Sequence, residues 1–463
     1  MEDFLGRVEE LQVLERAYAS DRHEFFPIYG RRRVGKSQLI LHFIRNKPAL
    51  YYLGKKATPL LQIQEFLQEA ARLLQEPLLA QVTPTSWKEA LRLVTERATS
   101  KKLVLVLDEF QWMVQASPEL PSVLQELIDR EWRTRKNIFL ILCGSYMGFM
   151  EREVLGEKSP LFGRRTGQIL LRPFSYREAA LFHPSWSLAE RARTYFLCGG
   201  IPFYLRFFSE KRSLEQNIEE NFLSEYAPLY REPDFLLREE LRELEKYYGV
   251  LMSLAGGFRT GQEMARLTGI DERKIHYYLQ HLIQLGYVRR QFPLQKKKPS
   301  RRLVRYTLDD PLLCFWFRFI YPQLASVMRR KPVEVWRQTI LPHLESYFGS
   351  RFEVLCREAL PVLYQEEKMH APFEVGEYWD KSVQIDVVGY RQDRVIDLGE
   401  CKWGSVPSLR QVVKELQDKS RHYPNEEQHT LNHRLFVQKK PPRASLPPGV
   451  LCHDLKDLYG GRT

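Results

Sequence analysis

The sequence predicts an α/β protein of several domains, and three observations carry that expectation. In the first 170 residues, apolar runs of strand length (25–29, 50–53, 103–107 and 138–143) alternate with helical stretches, the pattern of a parallel sheet with helical crossovers. Between the first run and the next helix stands a glycine-bearing octapeptide, Gly30-Arg31-Arg32-Arg33-Val34-Gly35-Lys36-Ser37. Between residues 344 and 445 a second pattern, α-β-β-β-α-β, predicts a separate α/β unit.

The elements follow in order. A helix from Glu9 leads to the strand at 25–29, the loop and a helix over 36–44, which with the later strands makes residues 1–170 one phosphate-loop core. From 171 to 238 the strands stop and the pattern is helical, broken by Cys198-Gly199-Gly200-Ile201-Pro202, as in a small helical lid. Residues 239–320 read as a winged helix-turn-helix: the third helix, 271–285, carries Ile275, Leu279, Leu282 and Ile283 on one face, and a hairpin follows it. The aromatic run 314–319 reads as a buried helix, and 321–343 as a helical linker. The last unit has a helix over 344–360, strands at 373–378, 383–390 and 394–400, a helix over 409–421 and a strand at 434–437. Residues 446–463 are set apart as a tail, and the proline-rich stretch from Pro441 to Pro448 as a surface segment.

With 463 residues the chain exceeds one ordinary core, at roughly 150 residues per domain. Lys and Arg number 70 against 58 Asp and Glu, a formal charge of +12 that favours polyanionic partners such as nucleic acid. The six cysteines are scattered without a CxxC pair, which excludes a disulfide framework or zinc knuckle and suits a reducing cytoplasm. The acidic start lacks a signal peptide and the apolar runs are too short to span a bilayer, so a soluble, cytoplasmic chain without a membrane partner is expected.

Phosphoryl transfer needs a backbone cradle for the phosphates, a cation on the terminal ones and a hydroxyl on magnesium. Gly30 and Gly35 let the main chain approach, Lys36 is the cation, Ser37 the metal ligand, and the helix that begins there, with Gln38 in its first turn, adds its positive end. The strand 103–107 ends in Asp108 and Glu109, as a Walker B strand should: Asp108 would hold magnesium through water and Glu109 would polarise the attacking water. ATP and Mg2+ are the expected cofactors.

Several separated motifs resemble the archaeal-type ATPase family of the signal-transduction ATPases with numerous domains, close to AAA+ enzymes. They are Phe4-Leu5-Gly6-Arg7, the Tyr-Gly-Arg-Arg-Arg run, Leu107-Asp108-Glu109-Phe110-Gln111-Trp112, the stretch from Ser159 to Thr166, and Gly199-Gly200-Ile201-Pro202. The resemblance implies that Gly6 and Arg7 lie near the adenine, that Ser145 senses the terminal phosphate, and that Pro202 closes the base pocket. It also suggests homo-oligomeric assembly. Arg164 or Arg165 is a candidate cation for the γ-phosphate, in cis or from a neighbouring subunit; the alternative is a solvated basic loop.

From Arg289 to Arg305 the chain carries Arg289, Arg290, Lys296, Lys297, Lys298, Arg301, Arg302 and Arg305 and no acidic residue, a stretch suited to a phosphate backbone, DNA above all. The preceding helix offers Arg273, Lys274, His276, Tyr277, Gln280, His281 and Gln284 to phosphates or base edges. Such a module also serves as a protein-docking platform.

Metal-assisted hydrolysis of a phosphodiester needs converging carboxylates and a cation beside the scissile phosphate. Asp386, then Glu400 and Lys402 on one face of the next strand, with Glu353 on the preceding helix, could provide them. Their order resembles the PD-(D/E)XK nuclease superfamily, which implies a restriction-endonuclease-like fold over about 344–440. By that resemblance Asp386, Glu400 and the Cys401 carbonyl would bind Mg2+ or Mn2+, Lys402 would orient water, and Glu353 would assist. One departure is Lys419 ahead of Tyr423, where some members carry Gln-x-x-x-Tyr. The leading expectation is an ATP-controlled nuclease acting on DNA, for which defence against foreign DNA is a natural role. The alternative is an ATP-gated DNA- or protein-binding regulator with a silent nuclease fold.

Overall fold

The computed structural model describes residues 4–97, 102–135, 137–295, 299–327, 329, 331–406, 408–440 and 449–460. The chain divides into two compact units: residues 1–173 with Ile201–Phe203, and the remainder.

In the first unit, β1 (Glu24–Tyr29), β2 (Ala49–Leu53), β3 (Leu103–Asp108), β4 (Ile138–Gly144) and β5 (Ile169–Leu170) form one sheet in the order β2-β3-β4-β1-β5, all parallel. Every residue of β1, β3 and β4 is buried, as expected of strands covered by helices on both faces. This is why their sequences read as continuous apolar runs. β5 has only two residues, one buried, too short for a periodic signal. The core around Phe66, Trp87, Phe110 and Trp132 supports the ends of β3 and β4, where Asp108 and Ser145 stand.

The second unit begins with residues 174–200, among them the helix Leu188–Cys198, capped by Ser187 and Glu190. This segment is tied to the long helix Leu341–Glu366: Tyr195 donates to Glu358 at 2.7 Å, and the Tyr347 hydroxyl donates to the Phe196 carbonyl at 2.9 Å. Three helices follow, Leu244–Ala255, Gly261–Thr268 and Glu272–Gln284, and then an antiparallel pair, β6 (Val288–Gln291) and β7 (Arg305–Leu308). On the third helix Ile275, Leu279 and Leu282 are buried as expected, Tyr278 joins them, and Ile283 is only half-buried. The aromatic run is helical and buried, Phe315, Trp316, Phe317 and Phe319 all lying in the core.

The C-terminal sheet contains β8 (Phe373–Trp379), β9 (Gln384–Arg391), β10 (Val395–Lys402), β11 (Thr430–Val437) and β12 (Val450–His453), in the order β12-β11-β10-β9-β8. β8, β9 and β10 pair antiparallel and β10, β11 and β12 parallel, a mixed sheet. The helix Leu409–Ser420 packs Leu409, Val412, Val413 and Leu416 against it. β12 and the short helix Leu455–Leu458 correct the assignment of 446–463 as a tail: they are part of the domain, and a four-residue strand gave no pattern to read. A buried polar cluster also holds this sheet: Arg434 bonds Asp397 at 2.7 Å and Glu367 at 2.6 and 2.8 Å, and Tyr364 donates to Asp397 at 2.6 Å. Each buried charge there has a charged partner, the condition for tolerating it.

Candidate functional site

At the C-terminal end of β1 the chain must turn without steric hindrance into the helix Lys36–Ile44. A Cβ on Gly30 would lie 2.2 Å from the Leu171 carbonyl oxygen, and Gly35 has φ +92°, so both positions require glycine. Arg33 adopts a left-handed φ of 68° between them. The Lys36 ammonium donates to the carbonyls of Gly30 and Arg31, both at 2.9 Å, and burial lowers its pKa while Glu109 and Asp108 oppose that shift. Val34 is buried beneath the loop, whereas Gln38 is exposed.

The acidic residues converge on the loop. Ser37 donates to Asp108 Oδ2 at 2.8 Å, and the Glu109 N–H donates to Asp108 Oδ1 at 2.8 Å. Ser145, just after β4, donates to Glu109 Oε1 at 3.0 Å. Two further donors are not legible in the sequence: the Tyr51 hydroxyl on Asp108 and the Gln111 amide on Glu109. Tyr51 arrives because β2 is the neighbour of β3, an adjacency that no local pattern encodes. The hydroxyl of Ser37 and the carboxylate of Asp108 are hard oxygen donors already in contact, which fits a magnesium ion shared with nucleotide phosphates.

Arg7, with φ 58°, is buried and donates to the carbonyls of Val34 at 3.0 Å and Arg172 at 2.8 Å, so it ties the loop to the end of the unit; Gly6 precedes it at φ 67°. Pro202 lies beside the loop, its Cγ 3.5 Å from the position of a Gly35 Cβ, and the Arg33 guanidinium stacks on Phe203 at 4.3 Å. Arg31 and Arg32 are half-buried. Arg164 makes three hydrogen bonds to Asp129, at 2.7 to 3.1 Å, while Arg165 is exposed.

In the C-terminal sheet, β9 and β10 bring Asp386 and Glu400 together. The Cys401 N–H donates to Asp386 Oδ2 at 3.0 Å, and Arg357 donates to the Asp386 carbonyl at 2.6 Å. Both carboxyl pKa values on this side are raised: Asp386 by burial and then by Glu400, and Glu353 by burial and then by Asp386. Glu400 is buried, and its two oxygens are taken by Lys402 at 2.9 Å and Lys419 at 2.7 Å. Among the described residues no three His, Cys, Asp or Glu side chains form a group that could hold a metal ion. As arranged, the expected set of Asp386, Glu400 and Glu353 does not fit a divalent cation.

The basic hairpin is divided. Arg289 pairs with Asp309 at 2.8 Å and Arg290 stacks on Phe292, both exposed, and Arg302 is exposed as well. Arg305 instead turns inward, 4.6 Å above the Trp379 ring and 3.3 Å from Gln384. The hairpin docks there on β8, with Leu294 N–H on the Glu377 carbonyl at 2.8 Å and Trp379 on the Leu303 carbonyl at 3.0 Å. Lys296, Lys297, Lys298 and the Arg301 side chain lie outside the described residues. Arg273, Lys274, His276, Tyr277, Gln280 and Gln284 are exposed on the third helix, whereas His281 is half-buried and 2.5 Å from the Tyr247 hydroxyl.

Sheet order, loop and paired acidic residues define a phosphate-loop ATPase core. Residues 4–206 match the family model of an ATPase domain predominantly from Archaea, and residues 316–416 match a model of archaeal and bacterial proteins of unknown function. Residues 4–206 are thus similar to archaeal ATPase domains, and residues 316–416 to that second family. An uncharacterized protein of Methanocaldococcus jannaschii is 27% identical over 422 residues, 90% of this chain and 92% of its own length. An uncharacterized ATP-binding protein of the same organism is 48% identical over 44 residues, 10% of this chain and 75% of its own. The Walker-type ATPase of Pyrococcus abyssi shares the fold, with a TM-score of 0.53 and 20% identity over 68% of this chain and 97% of its own. Among the described residues no helix is long and apolar enough to cross a membrane.

Proposed function

We propose that this chain is an ATP-binding and ATP-hydrolysing switch whose nucleotide state is read out on nucleic acid by the second unit. The observation that carries it is the cluster at the strand ends, where Ser37 meets Asp108 at 2.8 Å and Ser145 meets Glu109 at 3.0 Å. When ATP binds, Lys36 exchanges the carbonyls of Gly30 and Arg31 for the terminal phosphates, and the loop N–H groups take the remaining phosphate charge. Magnesium, held by Ser37 and through water by Asp108, would offset the charge that develops on the phosphates. Ser145 turns from Glu109 to the γ-phosphate, which frees Glu109 to polarise the attacking water. Gly6, Arg7 and Pro202 form the base side. The ATP-binding name of one M. jannaschii relative agrees with this reading. Release of phosphate from ATP and magnesium by the full chain, absent in Lys36→Ala, tests it; equal turnover in both proteins would refute it.

In this reading the three helices with β6 and β7 act as a winged helix-turn-helix that tracks a phosphate backbone with Arg289, Arg290, Arg302 and the lysines between them. DNA binding that weakens steeply with salt and differs between ATP and ADP is expected; salt-independent binding would count against it. A second reading, which requires a metal ion to displace a lysine from Glu400, makes the C-terminal domain a magnesium- or manganese-dependent nuclease that cuts DNA, in defence against foreign DNA. What favours it is the pairing of β9 and β10, which puts Asp386 beside Glu400 and Lys402. DNA and RNA of several forms, incubated with either metal, would be cut by the native chain and spared by Lys402→Ala.

A further inference from the structure

A carboxylate buried as deeply as Glu400 costs several kcal/mol unless it is paired. Here the pairing is complete and comes from two directions. Lys402, two residues on along β10 and on the same face, reaches Oε1 at 2.9 Å. Lys419 reaches Oε2 at 2.7 Å from the last turn of the helix Leu409–Ser420. That helix is fixed by Leu409, Val412, Val413 and Leu416 in the core, so Lys419 stands at the edge of the apolar stripe, its stem along the sheet and its ammonium on the carboxylate. The neighbouring Asp386 accepts from the Cys401 N–H, and Arg357 sits on the Asp386 carbonyl. Lys402, Lys419 and Arg357 thus stand among the acids Glu353, Asp386 and Glu400, with Arg357 also 3.8 Å from the buried Glu377. A divalent ion placed there would meet two ammonium groups and no carboxylate oxygen of Glu400 without a hydrogen bond.

We propose that Lys419 is a built-in counterion standing where a divalent cation would otherwise stand, so that the native C-terminal site takes no metal and gains one when Lys419 loses its charge. This takes from the nuclease-like reading only the grouping of Asp386, Glu400 and Lys402, and stands against metal-dependent cutting by the native chain. The test is Mn2+ binding to the full chain without nucleotide, followed by electron paramagnetic resonance and calorimetry, on native protein, Glu400→Gln, Lys419→Gln, Lys419→Met and the double variant Lys419→Gln/Glu400→Gln. The native chain and Glu400→Gln are expected to bind Mn2+ alike. Lys419→Gln gains one further site, in about the millimolar range or tighter, and the double variant loses it. Lys419→Met, which keeps the stem, replaces Lys419→Gln if the latter does not fold. A native site that disappears in Glu400→Gln, or no gain in folded Lys419→Gln and Lys419→Met, overturns the proposal. The two readings fail separately. Mn2+ bound by Lys419→Gln with DNA left intact retains the counterion and removes the nuclease; metal-dependent cutting by the native chain that requires Glu400 does the reverse.

Discussion

The two acidic clusters of this chain treat their charges in opposite ways. At the phosphate loop Lys36 rests on neutral carbonyls, and Asp108 and Glu109 are held by hydroxyl and amide donors, so cation and carboxylates stand close without neutralising one another by contact. At the C-terminal sheet Glu400 is held by two ammonium groups. Neutral dipoles hold a charge in place and leave it able to take a charged ligand; an ion pair satisfies it. In the proposed reading the first site receives a polyanion and a cation together, whereas Glu400 at the second already has a lysine on each oxygen.

The largest expected effect is at the first site. Glu109→Gln keeps the hydrogen-bonding shape but not the base, and should lower ATP turnover by about 10²–10³-fold with nucleotide affinity retained, as read by phosphate release and calorimetry; unchanged turnover would remove Glu109 from the chemistry. Next is a pH effect to which the ATPase unit contributes through His23. His23 is buried, with Nδ1 3.0 Å from the Ile138 carbonyl oxygen, and burial pushes its pKa down from 6.5 to about 4. The folded form resists a proton that the unfolded chain accepts, so stability present above pH 6.5 is lost as pH falls from about 6.5 towards 4. Over that range His23→Gln is expected to lose about 1–3 kcal/mol less than the native chain in chemical denaturation, the remainder coming from other buried histidines such as His453.

The contrast between the clusters is sharpened by a pair of neutralising substitutions. Lys36→Met should cost less than about 1 kcal/mol of stability because the partners it leaves are carbonyls, whereas Glu400→Gln should cost about 1–2 kcal/mol by leaving two half-exposed ammonium groups facing each other. Equal losses in thermal melts would erase the distinction. Arg305→Ala should cost about 0.5–1 kcal/mol, from the lost stack on Trp379. A fall in DNA affinity without any loss of stability would instead assign Arg305 to the nucleic-acid surface.

Much of the ATPase unit is legible in the amino-acid order alone. Strands buried on both faces are continuous apolar runs, so β1, β3 and β4 announce themselves, and the residues at their ends inherit a position. Ser37, Asp108 and Ser145 can be placed in that way. Tyr51 and Gln111 cannot, since the first depends on which strand lies beside β3 and the second on how Glu109 enters its helix with φ 50°. β5 and β12 are too short to show a period. The basic hairpin shows the limit of charge counting: Arg289 and Arg305 read alike in sequence, yet one faces solvent and the other covers a tryptophan. Lys419 is visible as a departure from a pattern, and its meaning comes only from the carboxylate it reaches.

The segment 174–200 has a consequence for how the chain is made. Its partners are synthesised much later: Tyr347 lies 151 residues beyond Phe196, and Glu358 lies 163 beyond Tyr195. At ribosomal rates of about 5–20 residues per second, the helix Leu188–Cys198 waits roughly 8–30 s for the helix that covers it. During that interval the nascent chain presents Phe196 and its neighbours without the cover of the helix Leu341–Glu366, a state more open to chaperones and to aggregation. Trimming the protein from its C-terminus would make that interval permanent, so damage at the far end should be felt first at Tyr195 and Phe196.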